Sequence, residues 1–216
     1  MRSSLALLGL VAMTACQSAP PAPARADPAS DAPEPATSRI ASFRQADTYA
    51  NALLAWRTAE DVNAWIGARF TYDFDRAMRL SETQRARSGQ LAIHTPSAFF
   101  VAPAGVCIDL ARFAVETLRH IAPDLETRYL MIEFAPVTIG GNTLRLHWVA
   151  AFVRDGSYYV FADSKRPGHL AGPYDTPAQF IDEYAQYRGG PIVAWHEVES
   201  YQRKQRTLRQ KTKAPG

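Results

Sequence analysis

Cysteine is scarce in this chain of 216 residues, which contains only Cys16 and Cys107. Two cysteines cannot build the multi-disulfide scaffold of a small secreted domain, and they are too few for a cysteine-rich zinc site. The five histidines include no pair at ligand spacing that could complete a metal centre with Cys107. The scarcity therefore leaves two interpretations of Cys107, a buried structural residue or a reactive thiol.

The chain also lacks a large excess of charge of one sign and a long apolar run. The formal net charge is only +3, and many of the basic residues are concentrated at the C-terminal end of the chain. A nucleic-acid-binding surface is not expected, because this basic cluster lies where no hydrophobic periodicity continues. The apolar run at residues 5–13 is too short to cross a bilayer, because a spanning helix needs about 20 apolar residues. Apolar residues still make up 47% of the chain, which is typical of one globular domain.

The N-terminus has the pattern of an export signal. Arg2 precedes the apolar run, and small residues stand just before Cys16 in the sequence MTAC. This pattern resembles the lipobox of bacterial lipoproteins, which implies cleavage before Cys16 and lipidation of that cysteine. Gln17 stands where retained inner-membrane lipoproteins carry aspartate, so we predict an exported protein anchored at the periplasmic face of the outer membrane. An ordinary cleaved signal with an incidental Cys16 is the alternative.

Composition divides the chain into four parts. Residues 1–15 form the predicted signal peptide, and residues 16–38, rich in Ala and Pro, form an extended tether without large apolar side chains. Residues 39–200 have the hydrophobic periodicity of a folded domain. Residues 201–216 form a basic tail, either solvated and disordered or attracted to an anionic lipid surface.

Within the folded part, hydrophobic spacing predicts helices before strands. We expect one or two helices up to about Ala68, an extended or turn-like segment at 70–74, and an ambiguous polar stretch at 76–90 whose helix would break at Ser88-Gly89. A loop is expected between Pro96 and Pro103. The next helix begins near Cys107 and stops before Pro123.

After that helix the spacing changes to the alternation of strands. Strands are predicted at 127–137, 144–153, 157–162 and 192–198, with a strong hairpin signal at Asp155-Gly156. Thr176-Pro177 marks a helix start, and residues 168–174 are either a rim of the cleft or a plain connector. Helices followed by an antiparallel sheet indicate an α+β domain.

Cys107 lies where a loop meets a helix, which is where a thiol is most easily activated. The free N–H groups and the dipole at a helix N-terminus stabilise a thiolate. Gly105, two residues earlier, permits a close approach of the backbone, and the N–H of Cys107 could face a developing oxyanion. A second oxyanion donor is not assigned. Tyr72 and Trp65 are candidates, although each is more typical of a core aromatic.

A thiolate enzyme also needs a proton carrier, which is usually histidine, and a carboxylate that orients it. His147 lies within a predicted strand and is therefore held on rigid structure. Asp163 closes the next strand, sixteen residues later, across the Asp155-Gly156 hairpin. Antiparallel pairing makes His147 and a residue near Asp163 neighbours, although each residue alone is commonplace in a structural role.

Together these segments resemble the transglutaminase-like superfamily. The cysteine motif is GVCIDLA at 105–111, the histidine strand begins HWV at 147–149, and the aspartate strand is YVFADS at 159–164. The resemblance implies a papain-like fold, with a nucleophile helix packed on an antiparallel sheet, and a Cys107–His147–Asp163 triad for acyl transfer. We expect a peptide or protein substrate, a monomer attached to the membrane through its N-terminal lipid anchor, and no cofactor.

One departure bears on calcium. Superfamily members that act as calcium-dependent adhesin proteases carry acidic residues on both sides of the cysteine, whereas this chain has Val106 and Ile108 there. Calcium dependence is therefore not supported, and Asp109 is interpreted as favouring the helix N-terminus.

Three functions are compatible with the motifs. The first, which we favour, is a periplasmic cysteine protease or amidase that cleaves a peptide or isopeptide bond. The second is a protein-crosslinking transglutaminase. The third is a catalytically silent lipoprotein that binds peptides or partners.

Overall fold

The computed structural model describes residues 44–88 and 91–202. The predicted signal peptide, the lipidation residue Cys16, the tether and nearly all of the basic tail lie outside these residues. The four domain bounds therefore stay predictions. No helix in the described ranges is both long and apolar enough to cross a membrane.

Seven helices and seven strands are assigned within these ranges. In chain order they are α1 (Tyr49–Ala55), α2 (Ala59–Arg69), β1 (Thr71–Tyr72), α3 (Phe74–Leu80), α4 (Glu82–Ser88), α5 (Pro96–Val101), β2 (Ala104–Gly105), α6 (Cys107–Ile121), β3 (Arg128–Ile139), β4 (Asn142–Arg154), β5 (Ser157–Phe161), β6 (Ala171–Tyr174), α7 (Pro177–Arg188) and β7 (Ile192–Val198).

The central element is a five-stranded antiparallel sheet with the order β6-β5-β4-β3-β7. Consecutive hairpins join β3, β4 and β5, and the last strand, β7, returns to pair with β3. The turn between β4 and β5 places Asp155 and Gly156 at positive φ, as the hairpin signal predicted. The α+β class predicted from the sequence is confirmed.

Each of the two faces of the sheet is buried against a different set of helices. Alternate residues of β4, including Trp148, Ala150 and Phe152, join a large core with α6 and the N-terminal helices. The intervening residues Val149 and Ala151 join a smaller core with α7. Because strand side chains alternate between faces, one central strand contributes to two cores.

The helix that begins at Cys107 forms as predicted and ends at Ile121, before Pro123. Helix α7 also begins as predicted. Thr176 is its N-cap and accepts a hydrogen bond from the backbone N–H of Gln179, and Pro177 occupies the first turn.

Three local predictions differ from the structure. The predicted loop after Pro96 is the short helix α5, because Thr95 caps it and Pro96 occupies its first turn. The polar stretch forms two helices instead of one, because it also breaks at Ser81, whose hydroxyl accepts from the N–H of Gln84 and so starts α4; α4 then ends at Ser88, where the break was predicted. The connector at 168–174 contains the edge strand β6, the position in a sheet that tolerates Pro173.

Candidate active site

Cys107 is the first residue of α6, a helix of 15 residues that packs against β3 and β4. Its side chain belongs to the large core, and the residue is 5% exposed. The helix N-terminus favours the negative charge of a thiolate, because the N–H groups of the first turn point out along the axis. The structure therefore places Cys107 at the loop–helix junction that the sequence predicted.

Asp109 fixes the backbone around Cys107. Its buried carboxylate accepts two hydrogen bonds from Arg76, at 2.6 Å from Nε and 2.8 Å from Nη2. It also accepts from the backbone N–H groups of His94, at 2.9 Å, and of Val106, at 3.2 Å. Charge-assisted bonds of this kind are among the stronger ones in proteins. Asp109 thus joins α3, the loop before α5 and the start of α6.

Gly105 is required by the same packing. A Cβ atom at this position would lie 2.9 Å from the Cβ of Asp109 and 3.0 Å from the ring of Phe99. The close backbone approach predicted for Gly105 is therefore present, and its partner is the side chain of Asp109.

His147 and Asp163 form a hydrogen bond of 3.0 Å between Nε2 and Oδ1. Both residues are buried, at 0% and 3% exposure. With the carboxylate as acceptor, the neutral imidazole carries its proton on Nε2, and Nδ1 is the nitrogen left to exchange a proton with a thiol. The structure thus brings these two predicted residues together.

A kink at Ala162 makes this contact possible. The pairing of Ala150 with Phe161 would, if continued, place Asp163 opposite Trp148, on the face of the sheet that packs against α6. Instead Ala162 adopts the left-handed conformation, with φ of +59°, and the ladder ends at Phe161. An L-residue in this region is strained, and such strain is found most often at functional sites.

Three further groups hold the carboxylate of Asp163. Oδ1 accepts from the N–H of Lys165 at 3.0 Å and from the hydroxyl of Tyr184 at 3.2 Å, and Oδ2 accepts from Nε of Arg166 at 3.1 Å. Burial alone would raise the pKa of Asp163. The hydrogen bond and positive charge of a protonated His147, with the charge of Arg166, outweigh burial and lower that pKa. Asp163 therefore remains ionised and can support an imidazolium.

Tyr184 of α7 contacts both members of the pair. Its hydroxyl reaches Asp163, and its ring stacks on the imidazole of His147 with centroids 5.7 Å apart and an interplanar angle of 14°. Nη1 of Arg188 lies 3.5 Å from the Tyr184 hydroxyl. The helix start predicted at Thr176-Pro177 gave no sign of this role of Tyr184, because a helical pattern does not show what a hydroxyl will meet.

Cys107 opens onto a cavity of about 150 Å³. Its wall includes Leu146 and Trp148, the two residues that flank His147 in β4. Tyr72, one candidate for a second oxyanion donor, also lines the cavity. The other, Trp65, is stacked on Phe100 inside the aromatic core, with centroids 5.0 Å apart. Trp65 is therefore a core residue, and Tyr72 is the one positioned near the thiol.

In the described ranges no group of three or more His, Cys, Asp and Glu side chains is arranged to hold a metal ion. The carboxylate of Asp109, the acidic group nearest to Cys107 in the sequence, is engaged by Arg76 and two backbone N–H groups. The expectation about calcium stays a prediction.

Comparison with known proteins identifies the family. A family model described as a transglutaminase-like domain matches residues 51–186, and the chain belongs to this family. No curated protein matches the chain. Among solved structures, calcium-bound LapG of Legionella pneumophila is similar, with 18% identity, a TM-score of 0.42, and coverage of 73% of this chain and 80% of that one. The resemblance drawn from the three sequence motifs is confirmed.

Proposed function

We propose that this member of the transglutaminase-like family is a thiol-dependent peptidase or amidase that uses Cys107, His147 and Asp163. The observation that supports the proposal most strongly is the buried 3.0 Å hydrogen bond between His147 and Asp163. His147 lies on β4, the strand against which the Cys107 helix packs. A buried carboxylate that orients an imidazole is what a thiol needs from its proton carrier.

The chemistry would proceed in two acyl-transfer steps. The Cys107 proton passes to His147, and Sγ attacks the amide carbonyl carbon, so that a C–S bond forms and the carbonyl oxygen becomes an oxyanion. As the C–N bond breaks, His147 returns the proton to the leaving amine. Water then attacks the thioester with His147 as general base, which releases the acid and restores the thiol. Asp163 stays ionised throughout and stabilises the imidazolium.

Hydrolysis is favoured over crosslinking because water is far more abundant than free amines at an exported site. The silent binding function is disfavoured by the buried polar groups around Asp163. A binding module would not need a left-handed Ala162 and four donors on one carboxylate. Such an arrangement costs desolvation and strain, which precise orientation of His147 would explain.

The proposal includes a location. The lipobox-like sequence before Cys16 supports an exported protein held by lipid at the periplasmic face of the outer membrane, acting as a monomer on peptide or protein substrates. Metabolic labelling with a palmitate analogue tests this. Label on the wild-type chain but not on Cys16→Ser is expected, and equal label on both would reject the anchor.

The catalytic proposal is tested by thiol reactivity against pH. The detergent-solubilised full chain is treated with iodoacetamide, and alkylation of Cys107 is followed by mass spectrometry of its peptide, which separates it from Cys16. We expect rapid alkylation well below the ordinary cysteine pKa of about 8.5, and loss of that reactivity in His147→Ala.

The matched control is His120→Ala, because His120 is exposed at the far end of the same helix. It should leave the pH profile unchanged. A thiol that reacts like free cysteine in all three proteins would overturn the proposal.

A further inference from the structure

The cavity beside Cys107 has the size and lining of a binding site. A cavity of about 150 Å³ is comparable to an engineered apolar cavity that binds benzene, so a side chain of that size would fit. Its wall is largely apolar, with residues from α3, from the segment before α5, and from β3 and β4. The apolar lining residues are Ala77, Leu80, Leu91, Ile93, Val106, Ile108, Met131, Leu144, Leu146 and Trp148.

Three charged residues line the cavity, and two of them form an ion pair with each other. Arg145 forms a two-bond ion pair with Glu82, so their charges offset each other. Arg85 of α4 also lines the cavity, and its guanidinium makes no hydrogen bond or ion pair with any residue of the described ranges. Guanidinium groups bind carboxylates through two parallel hydrogen bonds. The cavity therefore has an apolar interior and one positive charge available to a ligand.

The C-terminal tail of the chain is a poor occupant, although Tyr201 lines the cavity near the start of that tail. Beyond Gln202 the sequence carries basic residues and no acidic ones. Its charge has the same sign as that of Arg85, so the two would repel. A segment from another molecule, with acidic groups, is the better match.

We infer that this cavity binds a peptide in which a large apolar side chain, of the size of leucine or phenylalanine, lies next to an acidic residue. The apolar side chain fills the space beside Cys107, and the carboxylate pairs with Arg85. The inference rests on the proposed function, because it places the peptide bond next to the thiol. It specifies the substrate class, which the triad alone does not.

Binding is measured first, without catalysis. The full chain carrying Cys107→Ser is titrated by calorimetry with acetyl-Asp-Leu-Asp-amide, acetyl-Asn-Leu-Asn-amide and acetyl-Asp-Ser-Asp-amide. Loss of the carboxylates and loss of the leucine side chain should each weaken binding by about tenfold or more. In Arg85→Gln the acidic and amide peptides should bind equally, and Leu144→Lys should abolish the preference for leucine.

Val193→Lys is the matched control, because Val193 is 65% exposed on β7 and is not among the residues that line the cavity. It should bind all three peptides as the parent does. Equal affinity of the parent for all three peptides would overturn the inference, as would an acidic preference that survives in Arg85→Gln.

Hydrolysis by the unsubstituted chain separates this inference from the proposed function. The substrates are longer peptides that contain the same three sequences. Selective binding without cleavage would reject the peptidase and support the cavity assignment. Cleavage without preference for leucine or acidic residues would support the peptidase and reject the cavity assignment.

Discussion

The two faces of the sheet differ in how they are stabilised. On the α6 side, Phe113 of α6 packs with three aromatic side chains, Trp56, Trp65 and Phe99, in a broad apolar core that also contains Cys107. On the α7 side the core is smaller, and Tyr184 within it contacts the buried His147–Asp163 pair. Burial of apolar area supplies stability without directing any one atom, whereas hydrogen bonds fix positions.

This contrast assigns different tasks to the two sides. Apolar packing on the α6 side holds the helix that presents the thiol, and the polar contacts on the α7 side orient the imidazole and the carboxylate. The strand β4 belongs to both, with Trp148 facing α6 and its neighbour His147 stacked on Tyr184 of α7.

Asp163→Asn should affect activity most. Asparagine preserves the size of the side chain but favours the wrong imidazole tautomer, so peptide hydrolysis should fall by about 10⁴-fold. Alkylation of Cys107 at pH 7 should fall only to the rate of an ordinary thiol, because a cysteine with a pKa of about 8.5 is still about 3% thiolate at that pH. Rates measured under saturating reagent, with folding verified by circular dichroism, test this. A loss of less than about tenfold would remove Asp163 from the proposed triad.

Arg76→Met should affect stability most. The substitution leaves the fully buried carboxylate of Asp109 without its cation, which costs about 3–5 kcal/mol in the free energy of unfolding. Urea denaturation measures this loss. The control is Arg154→Met, which breaks an exposed ion pair with Glu60 and should cost about 1 kcal/mol or less. Equal losses in the two variants would contradict the structural role of Asp109.

Acidic pH should lower the free energy of unfolding by protonating Asp163. Its folded pKa is lowered, so its carboxylate stabilises the fold above the unfolded pKa of about 3.9, and this contribution is lost as the pH falls further toward the folded value. The difference in unfolding free energy between wild type and Asp163→Asn should therefore shrink as the pH falls below about 4. A difference that grows on acidification would contradict the ionised state.

Gly67→Ala should separate α2 from the loop that follows Asp163. The added Cβ would lie 2.9 Å from the Cα of Gly168, so the backbone must move, at a cost of about 1–3 kcal/mol offset by about 1 kcal/mol of helix propensity. Thermal unfolding measures the net loss. Gly190→Ala, where an added Cβ meets no atom within 4 Å, should be nearly neutral. A stabilised Gly67→Ala would show that the loop moves freely.

Tyr184→Phe should have the smallest effect on stability and a specific effect on chemistry. It retains the ring that stacks on His147 but removes the hydroxyl that donates to Asp163, at a cost of about 1 kcal/mol. The pH profile of Cys107 alkylation should shift, because the carboxylate that orients His147 loses a donor. An unchanged profile with lower stability would make Tyr184 a packing residue only.

Local signals predicted much of the fold and part of the site. The start of α6 at Cys107, the Asp155-Gly156 turn and the Thr176 cap depend on residues close in sequence, and all three are confirmed. The same Thr-Pro signal at Thr95-Pro96 does not by itself predict a helix, because α5 is only six residues long and shows no full apolar period.

Contacts between distant segments were beyond sequence reasoning. Arg76 and Asp109 are 33 residues apart, and Tyr184 and Asp163 are 21 apart, in separate elements. Neither pair has a signature in spacing, because its geometry depends on how the helices dock on the sheet. The pairing of β7 with β3 is non-local in the same way.

The His147–Asp163 contact depends both on local sequence signals and on contacts between distant segments. Local sequence predicts that two strands joined by a tight turn bring these residues near each other, because hairpin pairing follows from local turn chemistry. Regular pairing alone would have placed Asp163 on the face of Trp148. Only the tertiary structure turned it toward His147, because Ala162 adopts a left-handed conformation that no local preference would select, and Tyr184 of α7 donates to the redirected carboxylate.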